Sequence, residues 1–330
     1  MRLKRLFILF CLLSCVKPSE EVPVSVSFTL GGLQTKVTGA SYADESAVVR
    51  WTVFVFDTRS GWFRYGSSDD AAPVTLSLVA GKRYRCMALV NYPPGALNPA
   101  AVTSADDLTN RAVALDDNAP GRLLMYGEKT LLPLAGAQVT SIPVKRLVSR
   151  VDVQGISVDF TSWPAWTGKT LLLKHIYVTN AYRTSCWGLD LSSVLSQGTA
   201  WYNAMGWHGG GVVSASMDAL LGDRDINASV DASHPYSAFH SFYFYPNPVE
   251  KDNRRTDTWS PRFTRLVMEA SVDGETFYYP IDIPPVERNS VCAATNIVVH
   301  GPGCSHPEGG TVAGGILDVD WDIAEPVILD

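Results

Sequence analysis

Residues 265–303 read RLVMEASVDGETFYYPIDIPPVERNSVCAATNIVVHGPG. Leu266, Met268, Ala270 and Val272 alternate with Val267, Glu269 and Ser271, the period of two that gives a strand one buried face. Asp273-Gly274 supplies the two positive-φ positions of a type I′ hairpin turn. Phe277, Tyr279, Ile281 and Ile283 resume the alternation on the way back. Pro284-Pro285 ends it, since proline cannot donate to a ladder. Val291, Ala293, Thr295, Ile297 and Val299 then share one face of a third strand. The expectation is a three-stranded β-meander that closes on a Gly-Pro-Gly turn and carries no catalytic constellation.

Three short motifs in this stretch, Tyr278-Tyr279-Pro280-Ile281, Arg288-Asn289 and Gly301-Pro302-Gly303, resemble the C-terminal signature of the fimbrillin family, the pilus subunits of Bacteroidetes. A looser likeness runs over nearly the whole chain. The resemblance implies an all-β protein of two consecutive transthyretin-like β-sandwich domains.

Composition sets the same scale. A length of 330 residues suggests two domains, because single cores seldom grow past about 250 residues. With 46% hydrophobic residues the chain can bury real cores. A net charge of −6 and a pI near 5.5 argue against nucleic acid as a partner, which would call for a basic stripe.

Arg2, Lys4 and Arg5 precede a short apolar run over residues 6–13, followed by Ser14-Cys15. That is a signal peptide over residues 1–14. Leu12-Leu13-Ser14-Cys15 looks like a lipobox, whose cysteine is acylated and becomes the mature N-terminus. Each buried lipid methylene contributes about 0.8 kcal/mol, so a multiply acylated Cys15 anchors stably. Glu20-Glu21 resemble the acidic tag that sends such lipoproteins to the cell surface.

The remaining cysteines, Cys86, Cys186, Cys292 and Cys304, show no C-x-x-C and no metal spacing. Cys86 reads as a small buried hydrophobe, and a Cys292–Cys304 bridge is compatible with an oxidising envelope. The six histidines are scattered, and no zinc-protease, nucleophile-elbow or phosphate-loop motif occurs. Asp223, Asp225, Asn227 and Asp231 have calcium-loop spacing, but Ala228 and His234 stand where glycine and a bidentate glutamate are needed. A solvated polar loop is the better reading. The sequence calls for no cofactor, no metal and no enzyme.

Val22, Val24, Val26, Phe28 and Leu30 alternate without a fault against polar neighbours, and Gly31-Gly32 ends this first strand. After the polar connection LQTKVTGASYADE, residues 48–56 form a β-branched and aromatic strand. A first strand, a loop, an acidic residue and a strand ending Val55-Phe56-Asp57 are again similar to the family. Residues 74–78 lead through Ala80-Gly81 into residues 84–90, read as a hairpin. Residues 106–113 suit a single short helix capped by Ser104 or Asp106. From Val139 to Phe160 the apolar phase slips by one near Lys145-Arg146, which implies a bulge or a change of sheet. The division is therefore placed between an N-terminal domain, residues 15–147, and a C-terminal domain, residues 148–330.

In the second half, Leu171, Leu173, His175 and Tyr177 form a strand, and the pattern then lapses over residues 182–237. Trp187, Trp201 and Trp207 in that region read as gap-fillers under a long loop in preference to a ligand surface. At the end, Leu317, Val319, Trp321 and Ile323 face one way and Asp318, Asp320 and Asp322 the other. An apolar strand of this kind invites β-augmentation of another subunit.

The resemblance makes these terminal strands the functional parts. It implies that a protease cuts the loop after the first strand, removing Val22, Val24, Val26, Phe28 and Leu30. The C-terminal strand of a neighbour, residues 315–330, then fills the slot. Stalk subunits of the family generally carry arginine at the cut, whereas the loop's basic residue here is Lys36. Either Lys36-Val37 is cleaved, or the first strand stays and the chain is a lipid-held anchor. The expected partners are other fimbrial subunits, the outer membrane through the lipid of the precursor, and host or bacterial surface ligands. A tip adhesin, a surface glycan-binding lipoprotein and a secreted hydrolase are the rival readings.

Overall fold

The computed structural model describes residues 21–32, 45–188, 220–223, 225–247, 249, 263–307 and 316–324, together with the backbone of 201–202. Strands β1 (Pro23–Gly31), β2 (Arg50–Asp57), β3 (Phe63–Asp69), β4 (Val74–Val79), β5 (Tyr84–Val90), β6 (Ala112–Ala114), β7 (Met125–Leu131) and β8 (Gln138–Arg146) come first. Helix α1 (Ala105–Thr109) lies between β5 and β6, and the Ser104 side chain accepts from the Asp107 amide at its start.

Apart from β6, these strands form one ladder in the order β3-β2-β5-β7-β8-β1-β4. It folds over itself because β8 belongs to both halves. Its first part pairs in parallel with β1, from Val26↔Gln138 to Gly31↔Pro143. Its last part pairs antiparallel with β7, from Gly127↔Val144 to Met125↔Arg146. The phase slip read near Lys145-Arg146 falls where this change of sheet is completed. Val24, Val26 and Phe28 of β1 meet Trp51, Val53 and Val55 of β2 and Cys86, Ala88 and Val90 of β5 in the space between the layers. The outer face of β2 and β5 is buried as well, because residues 97–124 lay Leu97, Leu108 and Leu123 over Phe54, Met87 and Leu89. That double burial explains why every residue from Trp51 to Phe56 is buried, with Thr52 the one polar member.

The second half contains β9 (Ser149–Val153), β10 (Ile156–Val158), β11 (Leu171–Thr179), β12 (Ala181–Tyr182), β13 (Thr184–Cys186), β14 (Trp201–Tyr202), β15 (Gly222–Asp223) and β16 (Ala228–Val230). These are followed by β17 (His240–Phe244), β18 (Arg265–Val272), β19 (Glu275–Asp282), β20 (Val291–Val299) and β21 (Leu317–Ala324). One sheet runs β17-β9-β20-β21, with β10 continuing the edge of β20 beyond β9. The facing sheet is β11-β18-β19, with β15 and β16 on the other edge of β11. Val151, Phe242, Cys292 and Ile297 from the first pack with Leu173, Leu266, Met268 and Tyr279 from the second.

Four expectations are corrected by the fold. β18 and β19 form the hairpin, with Val272↔Glu275 closing it and Asp273 and Gly274 at φ 53° and 87°. β20, however, crosses to the opposite sheet, so the unit is not a meander. Pro284-Pro285 does more than stop a strand; it carries the chain across the sandwich. A bulge between Ala294 and Asn296 also shifts the phase of β20, so the buried row is Cys292, Ala294, Ile297 and Val299 while Thr295 is exposed. A like bulge between Leu173 and His175 makes Ile176 and Val178 the core residues of β11. Finally, β4 and β5 make no hairpin: β4 pairs with β1 and β5 with β2 and β7, in opposite layers.

The Gly-Pro-Gly segment has a packing reason. A Cβ on Gly303 would lie 2.4 Å from Tyr278 O, and one on Gly301 2.5 Å from Trp163 Nε1.

Candidate functional site: the terminal strands and the junction

β1 sits between β4 on one side and β8 on the other, both ladders complete across residues 26–28. Val24, Val26 and Phe28 are buried, Leu30 is half-buried, and Val22 precedes the strand and is 51% exposed. Three of the five expected residues therefore fill the slot. Burying each is worth ~1.5–3 kcal/mol, so ~5–9 kcal/mol gross. The covalent link from β1 to β2 is the single connection 32–49. Lys36 and Val37 in that connection lie outside the described residues, as do the signal segment, Cys15, Glu20 and Trp207.

β21 is the edge strand of its own sheet, antiparallel to β20 from Leu317↔Val299 to Ala324↔Val291. Leu317, Val319 and Trp321 are half-buried against the core, while Ile323 is 46% exposed. Asp318, Asp320 and Asp322 face solvent. His300 holds the start of the strand: its amide donates to Ile316 O at 2.8 Å and its Nε2 lies 3.0 Å from Asp318 Oδ2. Residues 315 and 325–330 of the expected donor segment lie outside the described residues.

Between the sandwiches lies a buried polar cluster that the sequence reading did not single out. Glu45, the acidic residue just before β2, is enclosed by Arg146, Arg150 and Tyr243. Arg150 Nη1 donates to Glu45 Oε1 at 2.5 Å and Tyr243 Oη donates to the same oxygen at 2.5 Å. Arg146 closes on the other carboxylate oxygen, and its Nε donates to Asn289 Oδ1 at 2.6 Å. Arg150 Nη2 reaches Asp152 at 2.8 Å, and Ser241 donates to Asp152 in turn. Two guanidiniums and two carboxylates thus neutralise each other out of water. Burial, with Arg150 alongside, lowers the Arg146 pKa to about 10, and burial raises that of Asp152 despite Arg150. The signal in the sequence was the placement of Arg150 and Asp152 inside the apolar strand VSRVDV.

Arg288-Asn289 belongs to the same junction. Asn289, at φ 67°, receives Arg146, and buried Arg288 donates to Trp187 O at 2.9 Å, Ser185 Oγ at 2.8 Å and Cys186 O at 2.6 Å. Those acceptors lie on and beside β13, which pairs with β6 of the first half. The motif therefore clamps the two halves together. Trp187 is buried, while most of the long loop that follows it lies outside the described residues.

No chemistry gathers elsewhere in the described residues. Cys292 and Cys304 form no disulfide: Cys292 Sγ faces Arg150 O in one sheet, and Cys304 is bridged to Tyr278 in the other. Asp225 and Asn227 are exposed, at φ 60° and 48°. Among the described residues no group of three His, Cys, Asp or Glu could hold a metal ion, and no helix is long and apolar enough to cross a membrane.

No protein-family model and no curated protein matches the chain. Solved structures do. A cell adhesion candidate from Bacteroides eggerthii superposes with a TM-score of 0.67 at 16% identity, covering 93% of this chain and 97% of that one. A fimbrilin from Porphyromonas gingivalis gives 0.62 at 15% identity, covering 93% and 98%. The tip fimbrial protein Mfa3 of the same organism gives 0.54 at 13%, covering 92% and 99%. The chain has the all-β, double-sandwich fold of these fimbrillin-like proteins, over nearly its whole length.

Proposed function

We propose that the chain is a structural subunit of a cell-surface fimbria, travelling as a lipoprotein held to the outer membrane through Cys15. Its domains are residues 15–147 and 148–330. Cleavage at Lys36-Val37 frees β1, and the segment 315–330 of a neighbour takes its place. The observation that carries this reading is the position of β1: buried in a core, flanked by two ladders, yet joined to the rest by one connection. Its removal opens a slot between β4 and β8. The row Leu317, Val319, Trp321 and Ile323 repeats the spacing of Val24, Val26, Phe28 and Leu30. The fold shared with a fimbrilin and a tip fimbrial protein supports a role in assembly in preference to catalysis.

The pairing of β21 with its own β20 favours a second reading. A subunit that keeps β21 in place accepts a donor strand and gives none, as a tip subunit does. N-terminal sequencing of protein released from cells tests the scheme. A start at Val37 supports processing; lipidated Cys15 in the filament base supports an anchor. Detergent-resistant ladders that persist after deletion of residues 315–330 overturn strand donation and leave the tip reading.

A further inference from the structure

We infer that the two far ends of the molecule are matched docking surfaces, each fitted to the opposite end of a second copy of this chain. The inference rests on the subunit reading above and names the contact that accompanies strand exchange.

β8 ends in the junction at Arg146, so its start at Gln138 marks the far end of the first sandwich. Four segments meet there, and backbone bonds knit them into one surface. Ala80 N donates to Val22 O at 2.9 Å, Gly81 N to Pro133 O at 2.8 Å, and Thr58 N to Arg83 O at 3.1 Å. Arg59, Arg64 and Arg83 are exposed on it and Lys82 is half-buried. Val22, Trp62, Leu132 and Leu134 are exposed between them. Of the acids there, Glu21 is paired to Lys82 at 2.5 Å, and buried Asp57 accepts from the Arg59 and Ser60 amides. This end is cationic with an apolar centre.

β20 begins beside Asn289 at the junction and ends at Val299, so the far end of the second sandwich holds the turns after β10, β16 and β18 and the start of β21. Its carboxylates outside the donor segment are Asp159, Asp231, Asp273 and Glu275. Lys169, 2.7 Å from Asp273, is the one lysine or arginine among the described residues of these turns. Trp163 is 37% exposed beside them. The two ends thus present opposite charge around exposed tryptophan, the complementarity that gives fast and oriented encounter. Because the surfaces differ and point away from each other, the contact is heterologous and propagates without closing. Loss of the segment before Val37 also removes Glu21 and Val22, so cleavage strips Lys82 of its carboxylate and makes the mature end more positive than the precursor's.

The test uses the full chain in cells that assemble it, reading detergent-resistant ladders on sheared surface material. One variant carries Arg59→Glu with Arg83→Glu, a second Asp159→Lys with Glu275→Lys, and a third all four. Each pair is expected to cut ladder formation by about tenfold, and the fourfold variant to return to within about twofold of the parent. Melting of each purified variant at the parent's temperature confirms the fold. Either pair laddering like the parent, or a fourfold variant no better than the pairs, overturns the inference while leaving strand exchange intact. A parent chain that forms no ladder overturns the subunit reading and this inference with it.

Discussion

Arg150 and Glu45, 105 residues apart in sequence, meet at 2.5 Å in a site closed to water. Each comes from a different sandwich, so this pair and its partner Arg146 fasten the two halves at the place where the chain passes between them.

Glu45→Gln is expected to destabilise the protein by about 3–5 kcal/mol, since it leaves buried Arg146 without a carboxylate and Arg150 with Asp152 alone. Glu21→Gln, which touches an exposed pair with Lys82, is expected to change stability by less than about 1 kcal/mol. Denaturant unfolding of both variants checks the contrast; equal effects would show that Glu45 is not load-sharing with the arginines.

Phe28→Ala removes a fully buried ring from between the layers and is expected to cost about 3–5 kcal/mol. Val22→Ala, at the exposed entry to the same strand, is expected to stay within about 0.5 kcal/mol. The comparison, read by urea midpoints, locates where the inward row of β1 begins.

Gly303→Ala forces a methyl against the Tyr278 carbonyl and is expected to cost about 1–3 kcal/mol. Gly274→Ala meets no atom but keeps φ 87°, so its cost, about 1 kcal/mol, is backbone strain alone.

How much of this was legible beforehand depends on range. The β18–β19 hairpin was readable because alternation and Asp273-Gly274 are local signals. The face of β20 differs from the simple alternation because a bulge at Thr295 leaves no mark on composition. The pairings of β4 and β5 with strands in opposite layers were hidden for a different reason: adjacency in sequence suggested a hairpin, and only the tertiary fold decides otherwise. The junction cluster was least legible, because Glu45, Arg146, Arg150 and Tyr243 acquire meaning only from one another.

Burial pushes the thiols of Cys86 and Cys292 up to about 12. Neither should react with iodoacetamide in the native protein at pH 8, and both should react in strong urea. Mass spectrometry of the alkylated peptides decides this.

Arg85 grips Glu128 through Nε at 2.6 Å and Nη2 at 2.9 Å, and this bond holds the Glu128 carboxyl below its ordinary value of 4.5. A depressed acid contributes stability that is complete above the unfolded value and is lost as pH falls below 4.5. Glu128→Gln should therefore flatten the acid limb of the stability profile there while leaving the slope near pH 7 unchanged.

The parallel ladder between β1 and β8 has a kinetic consequence. Thr29 bonds to Thr140 across 111 residues, so the slot around β1 is complete only when β8 arrives, even though β4 on its other side is available much earlier. Closing so wide a loop is slow, and β2, β3 and β5 can pair long before it happens. A chain lacking residues 1–32 is then expected to refold at nearly the parent rate but to unfold faster, as stopped-flow measurements would show. On this account β1 adds to the stability of the native state without serving as its nucleus.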